Sequence, residues 1–214
     1  MSSVLGSGIF EAGEYDRKLA AVYADMDQAY AEAAEYHGFR CQGCKDNCCE
    51  TEFHHHTMVE YLYIYRGFEA LPAQMKPGVL ARAEAALVRR QSKPTGGHLR
   101  IMCPLNTDGR CILYSHRPMI CRLHGIPSMF RHPMGGISYS PGCGDFDRLG
   151  NPDAETRLDR TPFYARMAQL EKALRSDSGI ENRIRMTIAD MIVTFVPLQS
   201  PSLPAERLTT REIP

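Results

Sequence analysis

Four thiols fall within nine residues at Cys41-Gln-Gly-Cys44-Lys-Asp-Asn-Cys48-Cys49, a density that the packing of a hydrophobic core does not call for and that reads as a metal-binding loop. Four more cysteines follow at Cys103, Cys111, Cys121 and Cys143, with none before residue 41 or after residue 143. Seven of the eight histidines lie in the same window. The middle of the chain, residues 38–147, is therefore a cysteine-defined module between cysteine-free arms. An even number of cysteines would suit disulfides in a small secreted chain. The first ten residues, however, lack the basic start and continuous apolar stretch of a signal peptide, and no apolar run approaches membrane-spanning length. These features predict a cytoplasmic protein whose thiols stay reduced, and hence metal ligands rather than bridges.

With 214 residues, 43% of them hydrophobic, the chain can bury a core and is expected to form a single domain over 1–214. Formal net charge is zero, so no global basic excess points to nucleic acid or to a membrane surface. The expected partner is a metal ion, and the sequence names no protein partner.

Apolar periodicity places the helices. Tyr15, Leu19, Val22, Tyr23, Met26, Tyr30 and Ala33 recur at intervals of three and four, predicting an amphipathic helix over 14–37 that Gly38 stops. A second helix is expected through His54, His55 and His56 into the apolar stretch that ends before Gly67. If those histidines are helical they diverge by about 100° per residue, so at most one could face a given metal. A third helix is read from Val79, Leu80, Ala83, Ala86 and Leu87 to Arg89-Arg90, and residues 92–97 form a linker by composition. Two more helices, over about 162–175 and 180–195, turn Phe163, Met167, Leu170 and Leu174, and Ile184, Ile188, Met191 and Ile192, inward. Residues 197–214 read as an extended tail.

Between these arms the chain is turn-rich. Asp108-Gly109 between two apolar runs predicts a small β-hairpin that makes neighbours of Cys103 and Cys111. A short helix capped by Ser115, with Pro118 in its first turn, would present Cys121, and Ser140-Pro-Gly-Cys143 places the last thiol in a turn.

The loop, then Cys103-Pro-Leu, Gly-x-Cys111-x-x-Tyr, Arg117-Pro-x-x-Cys121-Arg and the lone Cys143 together resemble the YkgJ family, also called the CxxCxxCC or zinc- or iron-chelating domain family. The likeness covers about residues 38–147. It implies a small metal-chelating domain in which Cys41, Cys44, Cys48, Cys49, Cys103, Cys111, Cys121 and Cys143 are ligand-type cysteines. A related cysteine pattern occurs in flagellin lysine methylases, which adds a modifying enzyme of lysine methylase type as an alternative. Three residues rather than two separate Cys44 from Cys48, so the pairing within the loop stays open.

The ligand pattern bears on the metal. Structural zinc often takes its four ligands from two CxxC knuckles, and only Cys41-x-x-Cys44 is one here. Cys103-Pro is like the Cys-Pro ligand of bacterial ferredoxins. Vicinal Cys48 and Cys49 point in different directions in most backbone conformations, so they serve two different centres, or one ligates while the other, Cys49 by preference, packs. An iron–sulfur cluster is favoured over zinc. From Val88 to His132 there are eight basic residues, Arg89, Arg90, Lys93, Arg100, Arg110, Arg117, Arg122 and Arg131, against Asp108 alone. Arg117 and Arg122, which flank Cys121, are the best candidates to stabilise an anionic thiolate centre. No GxSxG elbow, P-loop, HExxH or dinucleotide loop is present. A thiol redox enzyme using Cys41/Cys44 or Cys48/Cys49 is a further alternative, but a redox CxxC would follow a strand, and this one follows a helix. The expectation is thus a mainly α fold of about five helices around an irregular Cys-rich metal-binding centre with a small β-hairpin. Its role would be structural or electron-transferring.

Overall fold

The computed structural model describes residues 12–41, 48–92, 100–148 and 157–199. Cys44, the linker at 93–99 and the tail from 200 lie outside the described residues, as does the side chain of Cys48. The architecture is mostly helical with small sheets. The first helix, α1 (Ala12–Tyr36), follows the predicted stripe. It ends where Gly38 takes a φ of 62° and the Phe39 amide turns back to the Ala34 carbonyl at 2.8 Å. Next come α2 (Met58–Glu69) and α3 (Lys76–Gln91). Two very short helices, α4 (Met119–Arg122) and α5 (Gly144–Arg148), precede α6 (Thr161–Ser178) and α7 (Ile188–Gln199). The five long helices are those that carry apolar periodicity. Of the two short ones, α4 falls within the short helix expected to present Cys121 and α5 is too brief to show a period, so the described residues hold seven helices.

Strands β1 (Asn106–Thr107) and β2 (Arg110–Cys111) form the expected hairpin, with Asn106 opposite Cys111. Asp108 and Gly109 both have positive φ, 52° and 80°, as a two-residue turn matching strand twist requires. A second sheet was not predicted. Strand β3 (Ser128–Arg131) pairs antiparallel with β4 (Ile137–Ser140) and parallel with β5 (Leu158–Asp159). Its strands are short, and prolines and glycines dominate the chain around them, so they read as irregular.

Two apolar clusters result. The first packs the α1 stripe of Tyr15, Leu19, Val22, Tyr23 and Met26 against Phe163, Met167, Leu170 and Leu174 of α6, with Met119, Leu123, Ile126 and Phe146 from the middle of the chain. The second joins Val79, Ala83 and Ala86 of α3 to Ile188, Met191, Ile192 and Phe195 of α7, with Leu105 and Leu113 on either side of the hairpin. Helix α2 serves both, giving Val59 to the first and Ile64, Tyr65 and Phe68 to the second. Helix α7 starts eight residues later than expected. Residues 180–187 are irregular, and within them Met186 exchanges two backbone hydrogen bonds with His55, at 2.8 and 3.0 Å.

Candidate metal centre

The Cys48–Glu50 segment is a 3-10 turn, and the Cys49 carbonyl accepts the Cys103 amide at 2.7 Å. This bond ties the end of the cysteine loop to the start of the hairpin across more than fifty residues. Glu50 reinforces the join with an ion pair to Arg100 at 2.9 Å. The Asn106 amide closes onto the Cys103 carbonyl at 2.9 Å, and the Ile112 amide onto the Leu105 carbonyl at the same distance. On this frame the backbone amides of Leu105 and Leu113, each two residues after a cysteine, donate to the sulfurs of Cys103 and Cys111. Amides so aimed stabilise a thiolate. Cys121 comes from α4, which the Met119 and Leu123 side chains anchor in the first apolar cluster.

These four thiols share one neighbourhood. Burial pushes the Cys103 thiol up to about 12, and the charges of Cys111 and Cys49 add to the rise, against lowering by the Leu105 amide and Arg82. Burial also raises Cys111, with Cys49 adding. Cys121 is driven well above the ordinary thiol range by burial first, then by Cys103, Cys111, Cys49 and Glu60. Cys103, Cys111 and Cys121, all raised in this way, ionise together only where a cation offsets their charge. Among the described residues, no three His, Cys, Asp or Glu side chains stand grouped as a metal-holding set. The four are neighbours, not yet a closed coordination shell.

Of the other sequence candidates, the side chains of Cys41 and Cys143 are among the described residues. Cys41 is exposed at the end of a described stretch. Cys143 packs against the first apolar cluster, its amide bonded to the Gly125 carbonyl at 3.0 Å, whereas Cys103 and Cys111 pack against the second. Cys44 and the Cys48 side chain are outside the described residues.

Of the two arginines, Arg117 lies close enough to Cys111 to lower its pKa, and its guanidinium stacks 3.6 Å from the Tyr114 ring. Arg122 serves the frame. Its guanidinium lies 4.1 Å from the Tyr23 ring, pairs with Asp27 of α1 at 2.5 Å and bonds to the Arg117 and Ser115 carbonyls. Sequence reasoning missed Arg82. From α3 it bonds the Pro104 carbonyl at 2.9 Å and lowers Cys103, and nothing in its spacing separates it from a solvated helix arginine. Arg90, read as part of a basic face, makes a bidentate pair with Asp190 of α7 at 2.7 and 2.8 Å.

The histidine run is extended, not helical, because α2 begins only at Met58. His55 is therefore buried while His56 is exposed, and His54 is partly exposed 3.7 Å from Glu52. The predicted short helix is also broken. Residues Tyr114–His116 form a 3-10 turn and α4 starts after Pro118. That turn seats on α2 because Gly67 has no side chain, and a Cβ there would sit 2.7 Å from the His116 ring. No described helix is long and apolar enough to cross a membrane. Comparison with family models, curated proteins and solved structures finds no match for the chain, so the likeness to the YkgJ family rests on the motif residues themselves.

Proposed function

We propose that this is a metal-binding protein that chelates iron, as an iron–sulfur cluster, or zinc through a cysteine cluster, in a structural or electron-transfer role. The observation that carries the reading is the nearness of Cys49, Cys103, Cys111 and Cys121, which come from three separate stretches of chain and are all partly buried. Four thiolates are a complete donor set for tetrahedral zinc or for a cluster held by four cysteines. Ionised, they would need the compensating charge that a bound cation supplies, and their amide donors and Arg117 and Arg82 would complement a net anionic centre. Their convergence into a closed shell would accompany binding, since ligation and folding free energy are shared in such sites.

A structural role draws support from location. Cys121 is carried by the first apolar cluster and Cys103 and Cys111 by the second, so a metal between them would cross-link the two. Elemental analysis of protein purified without oxygen, with its visible spectrum, tests the reading. Iron with sulfide and charge-transfer absorption, or one zinc without colour, is the expected result. Metal-free protein that is fully folded with eight free thiols would overturn it.

A further inference from the structure

Glu60 occupies the joint where α1, α2 and α4 meet. It is 4% exposed. Its Oε1 accepts the Tyr23 hydroxyl of α1 at 3.0 Å and the Met119 amide of α4 at 2.8 Å, and its Oε2 accepts the Thr57 hydroxyl at 2.6 Å. A buried carboxylate costs several kcal/mol unless it is fully partnered, and apolar side chains commonly fill such a joint at no loss of stability. The donors on Glu60 define what it holds. Helix α4 is four residues long, with too few internal hydrogen bonds to fix its own direction. It is instead gripped from outside at both ends. Glu60 takes the Met119 amide, and Asp27 and the face of Tyr23 hold Arg122. Cys121 lies between the two grips, and Tyr23 takes part in both.

We propose that Glu60 is a positioning residue for the thiol site: holding the first amide of α4 and the Tyr23 hydroxyl on one oxygen, it sets the rotation of α4 that presents Cys121 to Cys49, Cys103 and Cys111. The inference rests on the metal-binding reading above. Glu60 itself ligates nothing. Loss of its carboxylate leaves α4 anchored by Met119 and Leu123 in the apolar cluster and by Arg122 at its far end, but with its first turn free to rotate, so the chain folds while one of four donors drifts.

Anaerobic titration of the full chain with cobalt(II) reads this directly, because thiolate-to-cobalt charge-transfer and ligand-field bands report how many sulfurs bind and in what geometry. E60L is expected to weaken cobalt binding about 10–100-fold, the usual cost of losing a residue that orients a ligand, and to diminish the tetrahedral ligand-field band. E60Q keeps an oxygen for the Met119 amide and should restore most of both. Tyr15→Phe serves as the structural control. It removes a 2.5 Å hydrogen bond between α1 and Asp177 of α6, so it should lower the melting temperature and leave the cobalt spectrum unchanged. Should E60L not fold, E60D, which draws the acceptor back by one carbon, takes its place with the same expectation.

Folded E60L or E60D with wild-type affinity and bands overturns the proposal. So does a Tyr15→Phe spectrum as altered as theirs, which would make the effect one of general destabilisation. If wild-type protein shows no thiolate-to-cobalt band, the metal-binding reading fails. The positioning claim is then judged alone by iodoacetamide labelling of metal-free protein, followed residue by residue. Cys121 should react several-fold faster, relative to Cys103, in E60D than in wild type, and an unchanged ratio overturns it.

Discussion

Buried and joined to Met186 by an isolated backbone bridge, His55 keeps an Nε2 without a hydrogen-bond partner. Burial lowers its pKa, with the flanking His54 and His56 adding, against a raising effect from Glu60. The sign of the linkage follows. The unfolded chain takes up a proton near the ordinary imidazole value of about 6.5, and the folded chain only at lower pH, so stability present above that value is lost as the pH falls through it. Denaturant midpoints should decline from pH 7 to pH 5, and H55F should flatten that decline; an unchanged slope in the variant would assign it to other groups. At Gly67 the expected effect runs against helix propensity. Gly67→Ala gains about 1 kcal/mol of intrinsic preference, yet its Cβ meets the His116 ring, so net destabilisation should appear in the melting temperature. The cysteines were legible as a set because their spacing is visible in one dimension. Which of the described cysteines lie near one another was not, since Cys121 reaches the others through tertiary packing of Met119 and Leu123 and through the holds on α4 from α1 and α2. Glu60 was unreadable for a similar reason, since its partners lie 37 and 59 residues away.

At the scale of elements, helix ends are held by side chains from other helices. The Val59 amide in the first turn of α2 donates to Glu171 of α6 at 3.0 Å, and Arg175 holds the other oxygen at 2.6 Å. Glu171→Ala leaves a buried amide without an acceptor, so a loss of about 1–3 kcal/mol is expected in chemical denaturation, with the m-value retained. A change under about 0.5 kcal/mol would show that water replaces the carboxylate. Similar logic governs α7. The Thr187 amide and hydroxyl donate to Asp190 at 2.8 and 2.7 Å, and Arg90 binds the same carboxylate. The long helices could be read from periodicity because each covers several turns of one apolar face. The β4-β3-β5 sheet could not. Its pairings bring together residues that alternate weakly and sit among Pro127, Pro133, Gly135 and Gly136, so the tertiary partner, not the local pattern, makes the strand.

For the whole molecule, the thiols lie where two apolar clusters sharing α2 come together. In sequence the hairpin at Cys103–Cys111 and the turns at Pro133–Cys143 have little apolar content of their own, so residues 98–145 are expected to disorder first when the metal is lost. Leu105, Leu113, Leu123 and Ile126 are buried in the two clusters built on the long helices, so much of that region is tied to the core without the metal. The dependence should therefore be graded. After chelation, hydrogen exchange should accelerate most around β1 and β2, whose pairing covers two residues per strand, and least in α1 and α6, where apolar stripes interlock. Cys111→Ser should reproduce the pattern, and uniform protection would mean that the fold does not use the site. The central claim is that Cys49, Cys103, Cys111 and Cys121 form one ligand set, and X-ray absorption at the edge of the bound metal tests it most directly. In zinc-loaded protein the account predicts a shell of four sulfurs at about 2.3 Å, kept when Cys41 and Cys143 are both changed to serine and reduced to three when Cys111 alone is. A shell dominated by nitrogen or oxygen, or one that loses sulfur in the Cys41 and Cys143 double variant, would contradict it.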